Sequence, residues 1–149
     1  MEINSFNGEF EFLSNFYPSP IIVAGELFPT VEHCFQAFKA EHKEDFISIQ
    51  TAATPGLAKR IGRSVKMRPD WENIKIDVMH SALRKKFEIP ELREKLLATG
   101  DAPIIEGNWW HDNTWGDCKC DKCSIKLGHN LLGKLLMNLR TEIREELAS

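Results

Sequence analysis

The sequence predicts an α+β fold, mostly helical, forming a single domain over residues 1–149 with a small N-terminal β-sheet. Three observations carry this expectation. Two short apolar stretches flank Ala24-Gly25, where glycine tolerates the positive φ of a tight turn. From Thr30 onward, apolar residues recur at three- and four-residue spacing behind residues that cap helices well. No repeat, low-complexity tract or Pro/Gly-rich linker divides the chain, and 149 residues with 42% hydrophobic content suffice for one buried core.

The elements follow in order. Glu9–Phe12 ("EFEF") alternates and reads as a strand, as does each half of "IIVAGELF", residues 21–28. Thr30 caps a helix through "TVEHCFQAFKA", and a further helix is expected across Glu44–Ala53. Thr54-Pro55 opens another, with threonine at the cap and proline at the first helical position. Trp71, Ile74, Val78 and Ala82 mark a long helix over Trp71–Glu88. After Pro90 a helix runs to Thr99 and stops at Gly100; "PIIEG" then reads as a strand, followed by a polar loop. Leu132, Leu135, Leu136, Leu139 and Ile143 define the last helix.

Composition restricts the function classes. A net charge of −3 and a pI near 6.0 give no global attraction to nucleic acid or an anionic membrane, so any such contact is local. The N-terminal "MEINSFNGEFEF" lacks the basic and apolar regions of a signal peptide, and no segment approaches the length of a membrane span. A soluble cytoplasmic protein with no membrane partner is expected. Cys118, Cys120 and Cys123 crowd together while Cys34 stands alone, unlike a disulfide framework; reduced thiols or a metal site fit better.

The chemistry begins on the helix that Thr30 caps. Glu32, Gln36 and Lys39 stand at i, i+4 and i+7 and share one face, with His33 beside them and Val31, Phe35 and Phe38 turned elsewhere. Residues alone leave this face open between a solvated surface and a reactive one. In "EGNWWHDNTWGD", residues 106 to 117, Trp109, Trp110 and Trp115 lie among Glu106, His111, Asp112, Asn113 and Asp117. Either this loop folds into the core, or its flat rings stack on a base while carboxylates act beside it. Downstream, Lys126, Gly128, His129 and Asn130 precede the last helix, whose first-turn amides, capped by Asn130 and approached over Gly128, suit a phosphate or a plain cap. "CKCDKC" holds a C-x2-C pair with zinc-ribbon spacing, but closing a site requires Cys118 and one of His111 or His129; the alternative is a reduced-thiol loop. Cys34 reads as a small packing group. Of the basic clusters, "RKK" (residues 84–86) complements a helix C-terminus, whereas Arg60, Arg63, Lys66 and Arg68 are candidates for phosphate contact.

"FLSNFYPSPI", "FPTVEHCFQAFKA", "LLATGDAPIIEGNWWHDNTWGD" and "LGHNLLGKLLMNLR" resemble successive blocks of the NADAR superfamily, whose bacterial YbiA-like members are N-glycosidases. The resemblance runs in order from about Phe10 to Arg140. It implies cleavage of a ribose C–N bond, either in early phosphoribosylated intermediates of riboflavin biosynthesis or in ADP-ribosylated guanine, free or in nucleic acid. A non-catalytic binder of ADP-ribose or nucleic acid is the reading from another class. The resemblance implies Glu32 as the essential carboxylate, Lys39 as a nucleophile or phosphate contact, and Asp112 as the group orienting water or ribose hydroxyls. It implies a substrate pocket from Asn15, Phe16, His33, Gln36, Trp110, Trp115, Gly128 and Asn130. No cofactor is expected and no metal is assigned to the chemistry.

Overall fold

The computed structural model describes residues 1–123 and 127–149, so Lys126 lies outside the described residues. The architecture is the expected one, α+β and mostly helical, with a two-stranded antiparallel sheet near the N-terminus. No described helix is long and apolar enough to cross a membrane. The chain forms two compact units, one of residues 15–92 and one of residues 1–14 with 93–149.

The unit of residues 15–92 starts with β1 (Ile21–Val23) and β2 (Glu26–Phe28), paired Ile21 to Phe28 and Val23 to Glu26. Ala24 and Gly25 both take positive φ, 53° and 79°, the backbone of a two-residue hairpin turn that follows the strand twist. Four helices follow: α1 (Val31–Lys39), α2 (Lys43–Gln50), α3 (Pro55–Gly62) and α4 (Trp71–Lys86). The caps act as the sequence predicts: the Thr30 and Thr54 hydroxyls accept the backbone N–H of His33 and Leu57, both at 3.1 Å. α1 packs against α2, α3 and α4 together and is therefore the central element of this unit. Phe28, Phe38 and Phe46 form a three-ring cluster with centroids 5.3 to 5.8 Å apart, and Phe35 meets Trp71 at 4.9 Å. Cys34 is buried in this core, and burial pushes its thiol up to about 12, as suits a packing group.

In the same unit the basic tail of α4 is more than a dipole complement. Lys86 is fully buried, its amine 5.9 Å from the Tyr17 ring centroid and 5.3 Å from that of Phe87, and burial lowers it to about 7.

The other unit corrects one expected strand. Gly8–Leu13 is a 3-10 helix, closed by the Ser14 N–H donating to the Glu11 carbonyl. Strand alternation would put Phe12 and Leu13 on opposite faces, yet both are buried, and the tight helical turn brings them inside together. "PIIEG" makes a single bridge at Ile104, to Ile3, and only its last residue, Gly107, joins a strand: β3 (Gly107–Asn108) runs parallel to β4 (Asp117–Cys118). α5 (Pro90–Ala98) straddles the two units, and Gly100 behind it takes φ 63° as a terminator. The long α6 (Leu131–Ala148) buries Leu132, Leu136, Leu139 and Ile143. It also buries Arg140, whose Nη1 donates to Thr99 Oγ1 and the Ala102 carbonyl, both at 2.9 Å.

Candidate active site

Glu32 and Gln36 are each only 7% exposed, which rules out a solvated face on α1. A buried carboxylate must be hydrogen-bonded or stay protonated, and here the partner is local. Gln36 Nε2 donates to Glu32 Oε2 at 2.9 Å, and Lys39 Nζ donates to Gln36 Oε1 at 3.3 Å. The i, i+4, i+7 pattern thus becomes a connected chain of acid, amide and amine along one helix. Burial lowers the Lys39 amine from its ordinary value; the Glu32 charge opposes that shift and the Arg63 charge adds to it. The Glu32 backbone N–H donates to the Asn15 carbonyl, which ties the start of α1 to the segment carrying Asn15 and Phe16. Asn15 Nδ2 faces Met79 Sδ at 3.6 Å, while Asn15 Oδ1 is buried with no donor among the described residues. Phe16 is exposed, with Lys59 Nζ 5.9 Å from its ring centroid.

His33 has a different place from the one expected. Its Nδ1 lies 2.8 Å from the Thr30 hydroxyl and its Nε2 lies 3.0 Å from the Ala52 carbonyl, which suits the tautomer with the proton on Nε2. Both ring nitrogens are committed inside the protein and the residue is 1% exposed, so His33 positions the cap of α1 and has no nitrogen left for substrate.

Gly62 is a residue that sequence reasoning missed. A Cβ there would collide with Gln36 Oε1 and Cδ, so the close approach of α3 to α1 leaves room for the amide only because residue 62 has no side chain. Gly62→Ala is expected to displace this amide, the end of a flexible side chain, rather than unfold the unit. kcat/KM should fall about tenfold, the worth of one net hydrogen bond, with Tm close to wild type. Gly56→Ala in the same helix, where a Cβ meets only Thr54 Oγ1 at 3.9 Å, is the control. Equal kcat/KM for the two variants would remove the amide from the account. In the neighbouring basic cluster Lys66 pairs with Glu41 at 3.1 Å and Arg68 with Asp70 at 2.6 Å, and the Arg63 charge acts on Lys39.

The second group of expected residues lies in the other unit. The tryptophan loop is not folded into the core, since Trp109 and Trp110 are 68% and 60% exposed and Trp115 is half-buried. Fully buried Asn108 shapes the loop: its amide donates to the Asp112 carbonyl at 2.8 Å and accepts the Asp112 N–H at 3.1 Å. Asp112 Oδ1 in turn accepts the N–H groups of Thr114 and Trp115, at 3.1 and 2.9 Å, so one carboxylate oxygen holds the turn that carries Trp115. Asp117 Oδ1 accepts the Gly128 N–H and Oδ2 the Lys119 amine, and these bonds hold its carboxyl below the usual range.

The phosphate site expected at the start of α6 is not there. The His129, Asn130, Leu131 and Leu132 N–H groups donate to the carbonyls of Asn113, Gly116, Thr114 and Trp115. The amides that an anion would use are therefore spent on the tryptophan loop. Gly128 permits a close approach, but by the Gly116 carbonyl and Asn113 rather than a ligand. Asn130 is the N-cap residue, at φ 51°, yet its side chain makes no cap bond; it accepts from the Glu106 N–H and donates to the Ile104 carbonyl, both at 3.0 Å.

The NADAR domain family model matches residues 4–144. Over 136 residues the chain is 43% identical to N-glycosidase YbiA of Escherichia coli, covering 89% of this chain and 81% of that one. It is 40% identical over 141 residues to N-glycosidase Npun_R5314 of Nostoc punctiforme, covering 91% and 86%. It is 37% identical over 148 residues to the chloroplastic riboflavin biosynthesis protein PYRR of Zea mays, covering 87% of this chain and 23% of that one. The NMR structure of the Escherichia coli protein YbiA matches with a TM-score of 0.86 at 38% identity, across 100% of this chain and 87% of that one. With a family model spanning residues 4–144 and relatives this similar across most of both chains, the chain belongs to the NADAR domain family.

Proposed function

We propose that this chain is an N-glycosidase that hydrolyses the bond between ribose and a base in a small phosphorylated, nucleotide-like substrate. The observation that carries the reading is the hydrogen-bonded chain of buried Glu32, buried Gln36 and half-buried Lys39 on the central helix of its unit. Breaking a ribose C–N bond develops positive charge at the anomeric carbon, and a carboxylate held in a partly dry site stabilises that charge far better than one in water. Water adds to the anomeric carbon, the C–N electron pair leaves with the base nitrogen, and the proton released by water ends on the departing base. In the covalent variant, the Lys39 amine displaces the base to form an imine with the ring-opened sugar, and water then releases the sugar and restores the amine. Arg63 supplies the positive charge for the substrate phosphate, since it already acts on Lys39. For Asp112 and Trp115, which belong to the other unit, the resemblance implies a hydroxyl contact and a stacking ring.

The curated names of the relatives support the reaction class, and the riboflavin biosynthesis name supports a metabolic substrate. The experiment is to incubate the purified chain with early phosphoribosylated riboflavin intermediates and, separately, with ADP-ribosylated guanosine and ADP-ribosylated DNA. Release of sugar phosphate from the first class, in preference to ADP-ribose from the second, is expected. ADP-ribose as the only product would transfer the reading to the guanine substrate; tight binding of either class without product would make the chain a binding module.

A further inference from the structure

Outside the acid, amide and amine chain, the tryptophan loop brings four soft ligands to one point. His111 Nδ1 lies 3.7 Å from Cys118 Sγ, 3.3 Å from Cys120 Sγ and 3.5 Å from Cys123 Sγ, and no two of the four ligand atoms are more than 4.8 Å apart. Hydrogen bonding does not explain this arrangement, because one ring nitrogen carries either one proton or one lone pair and can satisfy one sulfur, not three. A central ion does. With zinc–sulfur bonds of about 2.3 Å and a zinc–nitrogen bond of about 2.0–2.1 Å at tetrahedral angles, each sulfur would stand about 3.6 Å from the nitrogen.

We propose that His111, Cys118, Cys120 and Cys123 form a closed structural zinc site that clamps the tryptophan loop onto the strand end at Cys118. The donor set is the Cys3His combination that soft, tetrahedral zinc prefers, with no ligand position left for water. Local backbone geometry agrees. The Cys120 to Cys123 segment makes a turn, with the Cys123 N–H donating to the Cys120 carbonyl at 3.1 Å. His111 holds a left-handed backbone, φ 68°, uncommon for a residue with a Cβ, and that conformation delivers its ring to the three sulfurs. Asn113 Oδ1 accepts the Cys118 N–H at 2.9 Å and fixes the remaining ligand from the strand side. Metal binding releases three thiol protons and leaves zinc with three thiolates and a neutral imidazole; no oxidant or reductant is needed. The ion is a clamp and takes no part in glycoside cleavage, so its test is independent of any substrate.

The untagged chain, expressed with zinc and desalted, is expected to contain one zinc per chain by elemental analysis. Cobalt added to the reduced, chelator-treated chain should give the intense visible bands of a tetrahedral thiolate site together with thiolate-to-metal charge transfer, saturating at one equivalent. Cys120→Ser and Cys123→Ser should each abolish these bands, and His111→Ala should shift and weaken them, whereas His129→Ala should leave them unchanged. Amide exchange across residues 109–118 should quicken in the chelated chain and return on adding zinc. Weak octahedral cobalt bands or none in the wild-type chain, zinc retained in full by Cys120→Ser, or a Cys120–Cys123 disulfide in place of metal would each overturn the proposal.

Discussion

Glu32→Gln is expected to fold like the wild type and to lose about 10²–10³ of its kcat, the usual cost of removing one group that stabilises transition-state charge. The fold should survive because the new amide can present its oxygen to Gln36 Nε2, preserving the 2.9 Å bond while deleting only the charge. The site is thus tested with little change of shape. Circular dichroism and Tm report the fold, and single-turnover rates report the chemistry. A variant with near-wild-type turnover would show that the carboxylate is a packing partner of Gln36 and nothing more. The pH profile adds a second readout. The Glu32 charge raises the Lys39 pKa, so its removal should move the Lys39 titration to lower pH.

Lys39→Arg distinguishes the two roles of the amine and has a comparably large expected effect. In the covalent role, borohydride added during turnover traps a sugar adduct on Lys39, and the arginine variant loses both adduct and activity, because a guanidinium is a poor nucleophile at neutral pH. Burial lowers the Lys39 amine from its ordinary value, against the Glu32 charge and with that of Arg63, a direction that suits a nucleophile. The sign is definite: only the neutral amine attacks, so the rate rises as pH rises through the Lys39 pKa, and that limb lies below the range of a free lysine. If Lys39 only contacts phosphate, arginine preserves the charge, turnover survives with a raised KM and no adduct forms.

Much of the fold was legible because the signals were local. Thr30 and Thr54-Pro55 marked helix starts that the structure keeps, and Ala24-Gly25 marked a turn whose two positive φ values need no tertiary help. "EFEF" was misread because its alternation is a pattern that a 3-10 turn can also carry; burial of Phe12 beside Leu13 is a tertiary fact. The shared face of Glu32, Gln36 and Lys39 was legible from helical period alone, but its burial was not. That depends on three other helices closing around α1, and on Gly62 leaving room for the Gln36 amide. Sequence spacing likewise suggested open amides at the start of α6, whereas a loop with its own carbonyls to satisfy takes them first. The choice of His111 over His129 beside the cysteines rests on a backbone conformation at residue 111 that no spacing rule supplies.

The central claim is that this chain breaks the bond between the anomeric carbon and the base nitrogen, and product masses after turnover in heavy-oxygen water test it most directly. Two fragments are expected from a phosphoribosylated substrate: a base that keeps its glycosidic nitrogen and carries no label, and a ribose phosphate that has gained oxygen from water. A labelled base, a dephosphorylated product or a deaminated product with the ribose still attached would contradict it.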